Sequence, residues 1–303
     1  MTVSIADNEL DTEQLNVFAR GSESQFKRAL RRTLKTRSAQ VGIALVLSFL
    51  IIGVFAPIVS PYDARTDLNL KARLQPPSLE HPFGTDDLGR DVMTRVIHGA
   101  RVSLQVGVMV VAISLSIGTM LGLLAGLFGG ILDSVIMRVM DVMLAFPYVL
   151  LAIALVAALG PGLRNAMIAI GIVYIPPYAR LARSMALSAR EEDYVLAARA
   201  LGASQTRILL THILPNGLSP IIVMATLSMG TAILDAAALG FLGLGQQPPY
   251  PEWGKMLVDS IQFILSGSWW VMLFPGLAIM LTVLGFNLLG DGLRDALDPR
   301  LRL

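Results

Sequence analysis

Residues 102–128 read VSLQVGVMVVAISLSIGTMLGLLAGLF, 27 consecutive positions without a charged side chain. As a helix rising 1.5 Å per residue, such a run covers about 40 Å, more than the hydrocarbon core of a bilayer at about 30 Å. The run is continuous rather than alternating, and a barrel strand would be about half as long, so it reads as a helix and not as a strand. Working outward, a spanning helix needs about 20 mainly apolar residues, and that template recurs along the chain. It fits Val41–Ser60, Val102–Phe128, Val135–Leu159, Asn165–Met185, Leu218–Leu239 and Trp269–Leu289. The expected fold is all-α, a polytopic transmembrane bundle of about six spans.

Composition agrees with a bilayer setting. Of 303 residues, 54% are hydrophobic and only 15% charged, and the mean hydropathy is +0.64, well above what a soluble domain carries. There is no cysteine, which excludes disulfides, thiolate metal sites and cysteine nucleophiles. The distribution of charge sets an expected orientation. Lys27, Arg28, Arg31, Arg32, Lys35 and Arg37 crowd the approach to the first span, which places the N-terminus in the cytoplasm, and an even number of spans returns the C-terminus there. The connection between the fourth and fifth spans then lies inside and carries Arg180, Arg183, Arg190, Arg199 and Arg207, whereas the fifth-to-sixth connection carries only Lys255. The resulting organisation is a cytosolic tail over 1–40 with a basic segment and a first anchor over 41–60. An extracytoplasmic connection over 61–101 leads to a core over 102–290 and a cytosolic tail over 291–303. The polar, acidic opening (Asp7, Glu9, Asp11, Glu13) does not look like a cleavable signal.

Gly118, Gly122, Gly126 and Gly130 recur every fourth residue and would give one helix face smooth enough for close backbone approach, within this subunit or toward another. Pro57, Pro147, Pro176, Pro177 and Pro275 lie in or beside spans, where a missing amide hydrogen favours kinks.

Reactive chemistry is sparse. His81, His98 and His212 are scattered, and neither HExxH, GxSxG nor a GxxxxGK[ST] phosphate loop occurs. Any nucleotide hydrolysis therefore belongs to another protein. Asp235 is the clearest acid within a span; a carboxylate there is costly unless it faces water, a partner or a pore. It is expected to line the outer part of a translocation path and attract a cationic group such as a peptide amino terminus, or else to clasp two helices. On these residues alone an ion-coupled carrier, a channel or a membrane scaffold stays open.

The inside connection between the fourth and fifth spans, residues 190–216, holds YVLAARALG over 194–202 and runs on to Leu214-Pro215-Asn216. Glu191–Leu201 reads as a short helix with acids at its start, ended by Gly202, and Thr206–Leu214 as helix resuming until Pro215. This stretch resembles the EAA loop of binding-protein-dependent ABC importer permeases: two alanines, three residues, a glycine and a distal Leu-Pro. Ala197, Ala198, Gly202, Leu214 and Pro215 stand at family positions, beside Tyr194. Leu196 occupies the place where the family usually has Glu, and His212 one where it often has Ile.

Three further stretches extend the resemblance: HPFGTDDLGRD over 81–91 with GARVSL over 99–104, ALGFLGLGQQPP over 238–249 with PEWG over 251–254, and FNLLGDGLRDALDP over 286–299. On them the chain resembles the C-type permeases of the dipeptide and oligopeptide ABC importer family. The resemblance implies a bacterial inner-membrane subunit that pairs with a B-type permease, sits on two ATP-binding subunits and receives substrate from an extracytoplasmic binding protein. No catalytic group, metal or cofactor is then expected on this chain; ATP and magnesium would be held by the partner ATPases. Nucleic acid has no part in it, and the lipid bilayer is its other partner. Members of this group carry peptides, nickel, glutathione or other small solutes.

Overall fold

The computed structural model describes residues 33–34, 36–64 and 66–297. Most of the basic segment, from Lys27 to Arg32 with Lys35, and the end of the C-terminal tail from Asp298 lie outside them. Among the described residues eleven α-helices follow one another: α1 (Arg37–Val59), α2 (Val92–Phe128), α3 (Gly130–Ala145), α4 (Tyr148–Leu159), α5 (Leu163–Val173), α6 (Ile175–Ala189), α7 (Asp193–Ala200), α8 (Gln205–Ile208), α9 (Leu214–Phe241), α10 (Trp253–Ser260) and α11 (Trp270–Leu297). Among the described residues the extended structure is limited to one antiparallel bridge between Thr85 and Asp91.

Among the described residues four helices are long and apolar enough to cross a membrane: Arg37–Val59, Val92–Phe128, Gln205–Phe241 and Trp270–Leu297. The expected third span, Val135–Leu159, is not straight. It divides into α3 and α4, bent by 97° at Phe146-Pro147, where the proline both lacks an amide hydrogen and disfavours helical backbone in the residue before it. The expected fourth span, Asn165–Met185, divides at Tyr174 into α5 and α6, because Pro176 and Pro177 sit in the first turn of α6, where missing donors leave no bond unmade. The six runs read as straight spans thus become four long helices, one bent pair and one divided segment. Pro215 does not end a helix either. A π-turn over Leu209–Ile213 joins α8 to α9, and its altered register lets the chain run through the proline as one Gln205–Phe241 rod.

Helix α2 is the centre of the molecule. At 37 residues it is about 55 Å long, well beyond a hydrocarbon core of about 30 Å. Its Gly118, Gly122 and Gly126 lie against α6, where a Cβ built on Gly122 would stand 2.1 Å from the carbonyl oxygen of Ala179. Gly130 does not share that face. It has φ +58° with nothing within 4 Å of a built Cβ, and with Gly129 (φ +64°) it forms the reversal between α2 and α3. The four-residue repeat therefore packs helices at three positions and turns the chain at the fourth.

One end of the bundle is closed by residues 60–91 and 242–269. Trp253 is fully buried, its indole Nε1 donating to the Val96 carbonyl at 2.9 Å while Gly99 makes room for the ring. Trp270 Nε1 donates to the Thr85 carbonyl at 3.1 Å, and Phe83 stacks on Phe274 with centroids 3.9 Å apart. Asp91 caps α2 by accepting from the Thr94 amide at 2.7 Å, and its other oxygen lies 3.0 Å from His81 Nδ1. Glu252 caps α10, accepting from the amides of Gly254 at 2.7 Å and Lys255 at 2.9 Å. Burial raises the Glu252 carboxyl above the usual range, and those two amides partly offset it.

Candidate coupling loop and intramembrane carboxylate

At the other end of the bundle α6 runs out into α7 after a short turn over Arg190–Glu192. Helix α7 ends in two paired backbone bonds, Ala203 N–H to Ala198 O at 3.0 Å and Gly202 N–H to Arg199 O at 3.0 Å. This reversal needs a left-handed residue, and Gly202 supplies φ +80°. Ser204 then caps α8, accepting from the Arg207 amide at 3.3 Å.

Three apolar side chains pin the loop to the bundle. Val195, Ile208 and Ile213 are buried together with Leu123 and Leu127 of α2 and Ala182 and Ala186 of α6. Ala198 and Leu214 pack at the edge of this cluster, whereas Ala197 and Pro215 are exposed. On the outer side Tyr194, Leu196, Leu201 and Leu210 stand open, Leu201 at 89% of its full exposure. Tyr194 and His212 face each other with ring centroids 6.3 Å apart. Buried anchors beneath an exposed apolar surface make α7 a rigid projection rather than a slack loop. An apolar surface of this kind, on a short helix at the end of the bundle, is suited to seating in a cleft of another protein.

Asp235 lies in α9, two turns before its end. Tyr174 Oη donates to its Oδ2 at 2.6 Å, and Tyr148 lines the same recess. The three share this recess, whose remaining wall is apolar and includes Ala152, Val173 and Leu239. Both phenols come from helix breaks: Tyr148 opens α4 just after the 97° bend, and Tyr174 is the residue between α5 and α6. Sequence reasoning singled out Asp235 but neither tyrosine, although each lies within two residues of a proline in a span, a place where backbone and side chain both depart from the apolar pattern. It also passed over two ion pairs joining α3 to α6. Arg183 grips Asp133 through two bonds of 2.5 and 2.6 Å, and Arg180 reaches Asp141 at 2.6 Å.

Residues 118–303 match the family model described as binding-protein-dependent transport system inner membrane component. The chain belongs to this family. The matched region holds the α7 loop, Asp235 with both tyrosines, and all four glycines of the repeat. Residues 24–77 match a second model, the N-terminal TM domain of oligopeptide transport permease C. Among curated relatives, the dipeptide transport system permease protein DppC of Alkalihalophilus pseudofirmus is 56% identical over 92% of this chain and 91% of its own length. DppC of Escherichia coli K12 is 54% identical over 88% and 91%, and the di/tripeptide permease DppC of Pseudomonas aeruginosa is 50% identical over 88% and 89%. An inward-facing structure of the MetNI methionine ABC transporter shares the fold, with a TM-score of 0.56 at 19% identity over 68% of this chain and 97% of that one. As a member of the binding-protein-dependent family the chain is a membrane-embedded permease subunit of an ABC importer, working with the other components of such a system.

Proposed function

We propose that this chain is the C-type permease of an importer of dipeptides or short oligopeptides. It pairs with a B-type permease to enclose the path, rests on two ATP-binding subunits that hold ATP and magnesium, and takes solute from an extracytoplasmic binding protein. It carries out no catalysis of its own. The peptide substrate is supported by the names of relatives at 50–56% identity. The coupling role is supported by α7, whose exposed Leu196 and Leu201 are held over the buried Val195 anchor. Leu196, in the usual place of a glutamate, contributes apolar surface to that contact instead of a charge.

The α7 end carries Arg180, Arg183, Arg190, Arg199 and Arg207, an excess of positive charge that favours the cytoplasmic side for α7 and both termini. The tryptophan-closed end is then extracytoplasmic. In this reading closure of the ATPases pushes α7, α6 follows because Val195 and Ala186 share one packed cluster, and the spans rock between two openings. Asp235 lines the path.

Affinity purification of the chain in mild detergent, followed by assay of ATP hydrolysis with peptide-loaded binding protein, tests this. Recovery of a second permease and ATPases with peptide-stimulated hydrolysis is the expected result. A chain that purifies alone and still moves solute after reconstitution would refute it in favour of an ion-coupled carrier.

A further inference from the structure

Helices α3 and α6 form one tied unit through the Asp133–Arg183 and Asp141–Arg180 pairs. Beyond one end of each stands a tyrosine, Tyr148 after α3 and Tyr174 before α6; both line the recess of Asp235, and Tyr174 donates to its carboxylate. A carboxylate can only accept hydrogen bonds, and here it is held by the neutral donor Tyr174, with no cationic side chain lining the recess among the described residues. It is a half-buried acceptor with room for a positive partner.

The surroundings say which way that partner would come. Thr231, Leu234, Ala238 and Phe241 form an exposed stripe along α9, and Asp235 sits at its edge, while Tyr148 is 54% exposed. A carboxylate at the margin of an exposed face is not tolerated against lipid, so this face borders water or another subunit. Apart from its three polar groups the recess is apolar. It can therefore fix one charged group while making no polar demand on whatever is attached to it, as a carrier of varied side chains requires. The two phenol rings add faces that attract a cation.

We propose that Asp235, Tyr174 and Tyr148 form a subsite for a primary ammonium group, the amino terminus of the transported peptide, which binds the carboxylate beside the Tyr174 hydroxyl while the exposed Tyr148 ring walls the entrance. Tyr174 stays as the second ligand. Because Tyr174 directly precedes α6, and α6 leads to α7, movement of the coupling loop shifts one wall of the subsite and loosens its hold. The peptide as ligand rests on the function proposed above; the cation preference of the site does not.

The chain has no cysteine, so Tyr148→Cys places a single thiol at the recess in the assembled transporter. Labelling of this chain by a cationic and by an anionic methanethiosulfonate is followed by mass spectrometry. The cationic-to-anionic rate ratio is expected to fall at least five-fold when Asp235→Asn is added, and millimolar dialanine is expected to slow the cationic reagent in the single variant. In proteoliposomes with binding protein and ATP, Asp235→Asn is expected to cut dipeptide uptake at least ten-fold. An unchanged rate ratio overturns the subsite. If Asp235→Asn prevents assembly, absence of dialanine protection in Tyr148→Cys alone overturns it. A charge-selective site in a wild-type transporter that imports no peptide overturns the peptide as ligand, and the proposed function with it.

Discussion

Substituting the glycines of the 118–130 repeat one at a time separates two roles that identical spacing conceals. A Cβ on Gly122 would stand 2.1 Å from the Ala179 carbonyl oxygen and 2.8 Å from both the Ala179 carbonyl carbon and the Ala182 Cβ, where ordinary contact begins at 3.4 Å. The nearest obstacle is backbone, so no rotamer relieves it, and α2 and α6 must part by roughly 1 Å in a core packed like a crystal. Overpacking of this kind costs about 1–3 kcal/mol, and the higher helix propensity of alanine returns about 1 kcal/mol. With a backbone clash this short the upper end of the cost applies, so Gly122→Ala should destabilise by about 2 kcal/mol net. Gly130 has open space and φ +58°, so Gly130→Ala should lose about 1–2 kcal/mol through left-handed strain alone. Asparagine tolerates that conformation, and it separates the cases: Gly130→Asn should recover part of the loss, whereas Gly122→Asn should be worse than Gly122→Ala. The assay is the fraction of assembled complex surviving graded heating, read by size exclusion with detection on this chain. Gly122→Ala as stable as wild type, or asparagine ranking the two positions alike, would refute the packing argument.

Gly202→Ala meets no atom within 4 Å but must adopt φ +80°; it should cost about 1 kcal/mol locally and lower the solute moved per ATP hydrolysed, with Gly202→Asn closer to wild type. Leu201→Ser, at a side chain 89% exposed, should change thermal stability by less than about 0.5 kcal/mol while weakening co-purification of the ATPase subunits. Trp253→Phe removes the 2.9 Å bond to the Val96 carbonyl and leaves a buried acceptor, so unfolding should become easier by about 1–3 kcal/mol. Glu252 has its carboxyl raised from 4.5 by burial. Its folded environment therefore favours the protonated form, and its contribution to stability is full below that value and lost as pH rises through the raised one. Unfolding temperatures from pH 4 upward should show a fall that Glu252→Gln flattens; an equal fall in both proteins would contradict the assignment.

The helical bundle was legible because residues 41–60, 102–128, 218–239 and 269–289 are long apolar runs, a signal that depends on composition and not on packing. The breaks were half legible. Pro147, Pro176 and Pro177 marked where a helix would yield, but the 97° between α3 and α4 is set by how α3 lies on α6, and a hydropathy window averages across it. Gly130 misled because a four-residue repeat presumes one unbroken helix, and the positive φ of Gly129 and Gly130 resets the phase. Pro215 misled because a π-turn can absorb a missing donor without ending the rod. The turn at the end of α7 was legible through its motif, with the φ +80° of Gly202 as the physical reason for the motif's glycine. Asp235 stood out as an acid in an apolar run, but its partner Tyr174 lies 61 residues away, and Tyr148 of the same recess farther still. Tyrosine in a span passes for apolar until its hydroxyl finds an acceptor.

The two helix breaks and the carboxylate belong to one arrangement. A hydroxyl donor can reach Asp235 from a neighbouring segment only where that segment presents a polar side chain at the right depth, and Tyr148 and Tyr174 do so at the points where α3–α4 and α5–α6 change direction. If the breaks served packing alone, the residues beside them would be as apolar as the rest of the recess wall. Their phenols instead line the recess of the same carboxylate, and the neighbouring helices α3 and α6 are joined by two Arg–Asp pairs nearer the α7 loop. In the proposed mechanism a push at α7 passes to α6 through the buried cluster around Val195 and to α3 through those ion pairs. Both segments end at Asp235. Exchange of Arg183 and Asp133 should accordingly preserve transport better than loss of either charge alone, because the linkage requires the pair and not its polarity.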